Sequence, residues 1–110
     1  MPQANGKQLA LAPQHLATLQ SLLKQYVPDA EVWAFGSRVK GGAHEGSDLD
    51  LVLRNAQDLA QSVEGYVALK EALQESSLPM LVEAHDWAHL PVDFQRNIAQ
   101  CYVVLKVENG

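Results

Sequence analysis

Two aspartates one residue apart, Asp48 and Asp50, follow a Gly36-Ser37 pair with ten residues between Ser37 and Asp48. The stretch from Trp33 to Leu53 reads WAFGSRVKGGAHEGSDLDLVL, and it holds most of the chemistry legible in this chain. Side chains alternate along a strand, so residues 48 and 50 share a face with carboxylates about 7 Å apart. Two such anions repel unless a cation lies between them. A hard divalent ion with oxygen ligands, Mg²⁺ above all, suits them and binds substrate phosphates at the same time. Gly36 supplies the complementary half, because glycine permits a sharp turn and brings backbone N–H groups close to a ligand. If Ser37 opens a short helix through Val39, its hydroxyl and the first-turn N–H groups form an anion site. Arg38 and Lys40 add positive charge, and Gly41-Gly42 ends the turn. Phosphate at one end and metal-binding carboxylates at the other describe a nucleoside triphosphate site.

The flanking residues decide where these groups point. Val32 to Phe35 is an apolar run that stops at glycine, and Leu49, Leu51, Val52 and Leu53 form another that begins among aspartates; both read as buried strands. Leu16, Leu19, Leu23 and Tyr26 recur at helical spacing over Pro13–Tyr26, and the helix must end before Pro28. Residues 56–75 place Leu59, Val63, Tyr66, Leu69 and Leu73 on one face and predict an amphipathic helix with an acidic outer face. Ser76-Ser77-Leu78-Pro79 is a breaker ahead of a third strand, Met80 to His85. Pro91 suits the first turn of a last helix. Residues 102–107 read equally as helix or strand. The fold class is α/β (α+β), a small sandwich of helices on a mixed sheet, organised as one domain over residues 1–110 with a flexible N-terminus at 1–12.

Other polar residues invite structural readings. Glu83 alone is a surface acid on an edge strand. His85 reads as a satisfied histidine at a strand end, and Asp86 as a turn or cap residue. His15, His44 and His89 are too scattered for a zinc site. Cys101 falls on the apolar spacing Phe94, Ile98, Cys101, Leu105 and reads as a small buried hydrophobe.

Gly-Ser, ten residues, then Asp-x-Asp on a strand resembles the nucleotidyltransferase superfamily typified by DNA polymerase beta. Gly-Ser-Arg-Val-Lys-Gly followed by Ser47-Asp48-Leu49-Asp50 is similar to its minimal branch (MNT), the MntA-type antitoxins that pair with HEPN proteins. The likeness extends through Leu81–Trp87 and the helix around Phe94 and Ile98, roughly residues 15 to 106. It implies a polymerase beta palm-like fold and in-line attack of a hydroxyl on the α-phosphate of ATP, with pyrophosphate leaving. Asp48 and Asp50 would hold one or two Mg²⁺ ions. Gly36, Ser37, Arg38 and Ser47 would bind the nucleotide; Lys40 joins them on charge and position in the loop. The family's third carboxylate, commonly aspartate, falls at Glu83, a catalytic and metal-binding position filled here by the longer acid. The implied acceptor is a tyrosine of a HEPN toxin, neutralised by AMP transfer.

Composition is consistent with that expectation. The chain has 110 residues, 47% hydrophobic and 19% charged, as in a globular protein. Net charge is −5; residues 1–54 hold five basic and five acidic side chains, residues 55–110 three and eight. An acidic chain makes a poor nucleic-acid binder. A single cysteine permits no internal disulfide and suits a reducing cytoplasm, and MPQANGKQ contains no apolar segment for a membrane. Two alternatives stay open. A chain with a weakened site would bind nucleotide or its HEPN partner without transfer; a small-molecule acceptor would call for a second substrate-binding domain, which 110 residues do not provide.

Overall fold

Alternation along each strand builds two different faces on one sheet. The computed structural model describes residue 9, residues 11–40 and residues 47–106, with the side chain of Lys40 outside that set. Its elements run α1 (Pro13–Tyr26), β1 (Ala30–Phe35), α2 (Ser37–Lys40), β2 (Leu49–Asn55), α3 (Tyr66–Glu75), β3 (Val82–Asp86), a single 3₁₀ turn (Trp87–His89), α4 (Val92–Gln100) and β4 (Val103–Lys106). The sheet order is β3-β2-β1-β4. β1 is antiparallel to β2 and β4, whereas β2 and β3 are parallel. A parallel pair needs a long crossover, and the segment carrying α3 supplies it. The architecture is the mixed α/β arrangement expected, and the undecided segment after Tyr102 is a strand.

On one face, Ala30, Val32 and Ala34 of β1 meet Leu49, Leu51 and Leu53 of β2 and Ala84 of β3. Leu19 and Leu23 of α1 and Leu69 and Leu73 of α3 close over them. Each fully buried leucine contributes about 1.5–3 kcal/mol relative to exposure. α1 starts at a proline, which gives up no intrahelical hydrogen bond there. It ends at Val27, whose N–H still reaches the Leu23 carbonyl, because a residue before proline is driven out of the helical region. Leu9 and Leu11 pack against this core; the rest of segment 1–10 lies outside the described residues.

The opposite face carries Trp33 and Phe35 of β1, Val52 of β2 and Ile98 of α4, with Phe94, Tyr102 and Val104 packed against them. Lys106 is buried at the end of β4 and donates to the carbonyls of Pro28 (2.5 Å) and Ala30 (2.9 Å), pinning β4 to the start of β1.

The helix expected over 56–75 is corrected to Tyr66–Glu75. The Asn55 side chain accepts from the N–H groups of Gln57 and Asp58, forming an Asx turn that competes with helix. Gly65, at φ +90°, then resets the chain, and a Cβ there would lie 2.1 Å from the Tyr26 carbonyl oxygen. Leu59, counted on the apolar face, is 41% exposed.

Candidate active site

The turn after β1 brings the pieces together. Gly36 adopts φ +86°, and a Cβ there would stand 2.7 Å from Asp50 Oδ2. Glycine is therefore required twice, for its conformation and for the close approach of the carboxylate. Ser37 begins α2 in an exposed position, and the Val39 N–H closes the turn on the Gly36 carbonyl at 3.0 Å. Arg38, expected on phosphates, is buried at 7% exposure, and its Nε donates to the Ser47 carbonyl at 3.0 Å. That bond ties α2 to the entry of β2 and so links the two halves of the motif. The Lys40 side chain, Gly41-Gly42 and His44 lie outside the described residues.

Asp50 lies on β2 opposite Phe35 of β1 and Glu83 of β3. His85 stands opposite Val52, one side-chain repeat further along the same face. Donor atoms of Asp50, Glu83 and His85 lie within 4.8 Å of one another. Asp48 precedes the first strand residue, Leu49, and is exposed. The strand thus starts later than a shared strand face for both aspartates requires, yet Asp48 remains close enough to act on Asp50. Burial raises the Asp50 carboxyl above its ordinary value; His85 opposes this, and the charges of Glu83 and Asp48 add to it. Half-buried Asp50 thus has two anions beside it, opposed among the described residues by His85. Oxygen donors in such a field fit a divalent cation.

The elements behind the site hold it in register. The Tyr66 hydroxyl of α3 donates to the Ala84 carbonyl at 2.9 Å, between Glu83 and His85. The His85 ring packs near Phe35 and Phe94, with centroids 5.8 and 6.1 Å away. Beside Gly36 opens a cleft of about 670 Å³, lined by Phe35, Phe94, Asn97, Ile98, Gln100 and Cys101. Its size is that of a small-molecule site. Cys101 is half-buried on its wall and packs against the core as expected of a small hydrophobe.

Alternation along the strand puts His85 on the face of Glu83, as the sequence predicts, but the histidine expected to be satisfied at a strand end has a donor atom within 4.8 Å of those of Asp50 and Glu83. Asp86, the last residue of β3, precedes the 3₁₀ turn but its side chain does not cap it: the carboxylate is buried and, among the described residues, has no hydrogen bond. Ser62, His89 and Asp86 form a line that looks like a hydrolase triad. Both contacts, at 2.6 Å from Ser62 Oγ and 3.8 Å from Asp86 Oδ2, fall on the same nitrogen, His89 Nε2. A relay needs one partner on each ring nitrogen, so this is a surface cluster.

At the far end of the face, Arg54 pairs with Glu31 at 2.6 Å and lies 4.0 Å from the Trp33 ring and 4.7 Å from Trp87. Trp33 stacks on Tyr102 with centroids 3.8 Å apart. Among the described residues, no helix is long and apolar enough to cross a membrane.

Comparison with known proteins agrees with this geometry. The family model described as "Nucleotidyltransferase domain" matches residues 16–105. The chain is 44% identical over 102 residues to a Haemophilus influenzae protein named "Probable protein adenylyltransferase MntA", covering 90% of this chain and 85% of that one. Its fold matches a chain from "Crystal structure of the toxin-antitoxin with AMP-PNP" with a TM-score of 0.67 and 19% identity, covering 84% of this chain and 73% of that chain.

Proposed function

The chain belongs to the nucleotidyltransferase domain family, and from that premise we propose that it moves AMP from ATP onto a tyrosine hydroxyl of a HEPN-domain toxin. It would act as the antitoxin of that pair, in the cytoplasm, with Mg²⁺ as cofactor. The observation that carries the reading is the convergence of the Gly36 turn with the Asp50–Glu83 pair on one end of one sheet face. The 44% identical relative, named as a protein adenylyltransferase, supports the choice of a protein acceptor.

In the proposed reaction the acceptor oxygen attacks the α-phosphorus, a new O–P bond forms, and the bond to the β-phosphate oxygen breaks to release pyrophosphate. Asp48, Asp50 and Glu83 would hold Mg²⁺. A divalent ion there supplies charge neutralisation at the entering and leaving oxygens. The chain itself contributes position. Ser37 and the open backbone at the start of α2 would receive phosphate oxygens, and Lys40, the last residue of α2, would add charge. Gly36 lets the nucleotide approach the Asp50 carboxylate with no side chain between them. Arg38 fixes the spacing of α2 and β2 through Ser47, and the cleft walled by Phe35 and Phe94 accommodates the nucleoside. Glu83 would accept the acceptor's proton.

A binding-only antitoxin is the second reading, and the glutamate at position 83 favours it: one extra methylene displaces a carboxylate by about 1 Å, enough to cost roughly a hundredfold in rate. The discriminating experiment combines the chain, a co-expressed HEPN partner, ATP and Mg²⁺, followed by intact mass spectrometry. AMP should appear on the partner and disappear with Asp48→Ala/Asp50→Ala. A stable complex without mass gain, and neutralisation unaffected by those substitutions, would establish the binding-only reading. Glu83→Asp should raise transfer if the longer acid impairs the site.

A further inference from the structure

We propose that His85 is a metal ligand, making this centre a mixed nitrogen–oxygen site that selects Mn²⁺ or a similar transition ion over Mg²⁺. The inference rests on the nucleotidyltransferase reading above and revises its cation from Mg²⁺ to an ion that also accepts a nitrogen ligand. Three observations carry it. Parallel pairing of β2 with β3 sets Asp50 opposite Glu83 and Val52 opposite His85, so all three donors lie on one face. Their atoms fall within 4.8 Å of one another. Among the described residues, the imidazole has neither a hydrogen bond nor an ion pair, although two carboxylates face it.

Metal–ligand bonds of about 2.0–2.2 Å separate donors on opposite sides of an ion by roughly twice that length. Donor atoms that all lie within 4.8 Å of one another therefore need only a small side-chain rotation to share one ion. The ring is also held in place, wedged near Phe35 and Phe94, so less rotamer entropy is lost when it binds. A ligand that is already oriented costs little to recruit.

Donor chemistry then sets the selectivity. Mg²⁺ takes oxygen ligands and keeps its waters, whereas imidazole suits transition ions, and affinity rises from Mn²⁺ toward Cu²⁺ for a given nitrogen–oxygen set. An Asp48, Asp50 and Glu83 site alone would be a Mg²⁺ site. The added nitrogen shifts it, and Glu83, longer than aspartate, reaches an ion displaced toward His85.

The test is electron spin-echo envelope modulation on the purified chain loaded with Mn²⁺ and inorganic tripolyphosphate, a phosphate ligand with no nitrogen. Wild type should show ¹⁴N modulation from a directly bound imidazole. His85→Gln should lose it, weaken Mn²⁺ binding by at least about tenfold, or 1.4 kcal/mol, and leave Mg²⁺ binding nearly unchanged in calorimetric titration. The wild-type spectrum needs no variant, so a folding defect in His85→Gln cannot obscure the answer. Bound Mn²⁺ without ¹⁴N modulation would overturn the role of His85 while leaving the carboxylate site intact. Failure of both ions to bind wild type would overturn both readings.

Discussion

The two faces of this sheet are made by the same strands and do opposite things. Beneath α1 and α3, β1 and β2 show only hydrocarbon: Ala30, Val32, Ala34, Leu49, Leu51 and Leu53, all at most 2% exposed. On the reverse, the intervening residues run from Asp50 at one end, through Phe35 and Val52, to Trp33 and the Arg54–Glu31 pair at the other. One face is sealed and uniform; the other is graded from charge to aromatic and open beside the charge. A two-residue period lets one short strand supply stability on one side and reactivity on the other. The difference teaches that substitutions one position apart along β2 act on separate properties.

Four measurements sharpen or break that separation. Asp48→Ala with Asp50→Ala should abolish AMP transfer, by on the order of a thousandfold or more, while the melting temperature holds or rises. Leu51→Ala, adjacent in sequence to Asp50 and on the sealed face, should cost about 2–5 kcal/mol in denaturant unfolding. Its activity per folded molecule should stay near wild type, and a selective loss of turnover would show that the faces are coupled. Gly36→Ala should do both. Left-handed backbone costs a non-glycine residue about 1–2 kcal/mol, and the added carbon, 2.7 Å from Asp50 Oδ2, pushes the carboxylate aside; the expected loss in rate is about a hundredfold.

The smallest effect is electrostatic. Burial raises the Asp50 carboxyl in the folded state, so ionising it works against folding. The stability linked to this group is fully present below its unfolded pKa and declines as pH rises through the folded value. Asp50→Asn should therefore stabilise the metal-free protein at neutral pH, and the advantage should fade on acidification into the carboxylate range. Adding Mn²⁺ or Mg²⁺ at neutral pH should stabilise wild type and leave Asp50→Asn almost unmoved in thermal unfolding.

Much of the site was legible because its signals are local. Gly36-Ser37 and Asp48-x-Asp50 announce themselves through residue type, and α1 matches its predicted span because Pro13 and Pro28 bracket it. What failed to show was non-local. The apolar spacing of Leu59 and Val63 continues that of Tyr66, Leu69 and Leu73, yet the Asx turn at Asn55 and the left-handed Gly65 hold residues 56–65 out of the helix. Nothing in the spacing of Arg38 and Ser47 reveals that the guanidinium turns inward to the backbone. His85 joins Asp50 through parallel pairing across the α3 crossover, a register that hydrophobic pattern alone does not specify.

The hydroxyl of Tyr66 has one more role. β3 is an edge of the sheet, and an edge offers unpaired backbone groups as a template on which any extended chain can add a strand. Tyr66 occupies the Ala84 carbonyl, the rung between Glu83 and His85, so a strand arriving there meets a missing acceptor at mid-ladder. Tyr66→Phe removes a bond of about 1 kcal/mol and reopens that acceptor. The hydroxyl that braces the strand between Glu83 and His85 thus also makes the outer edge of β3 a less regular template for an added strand.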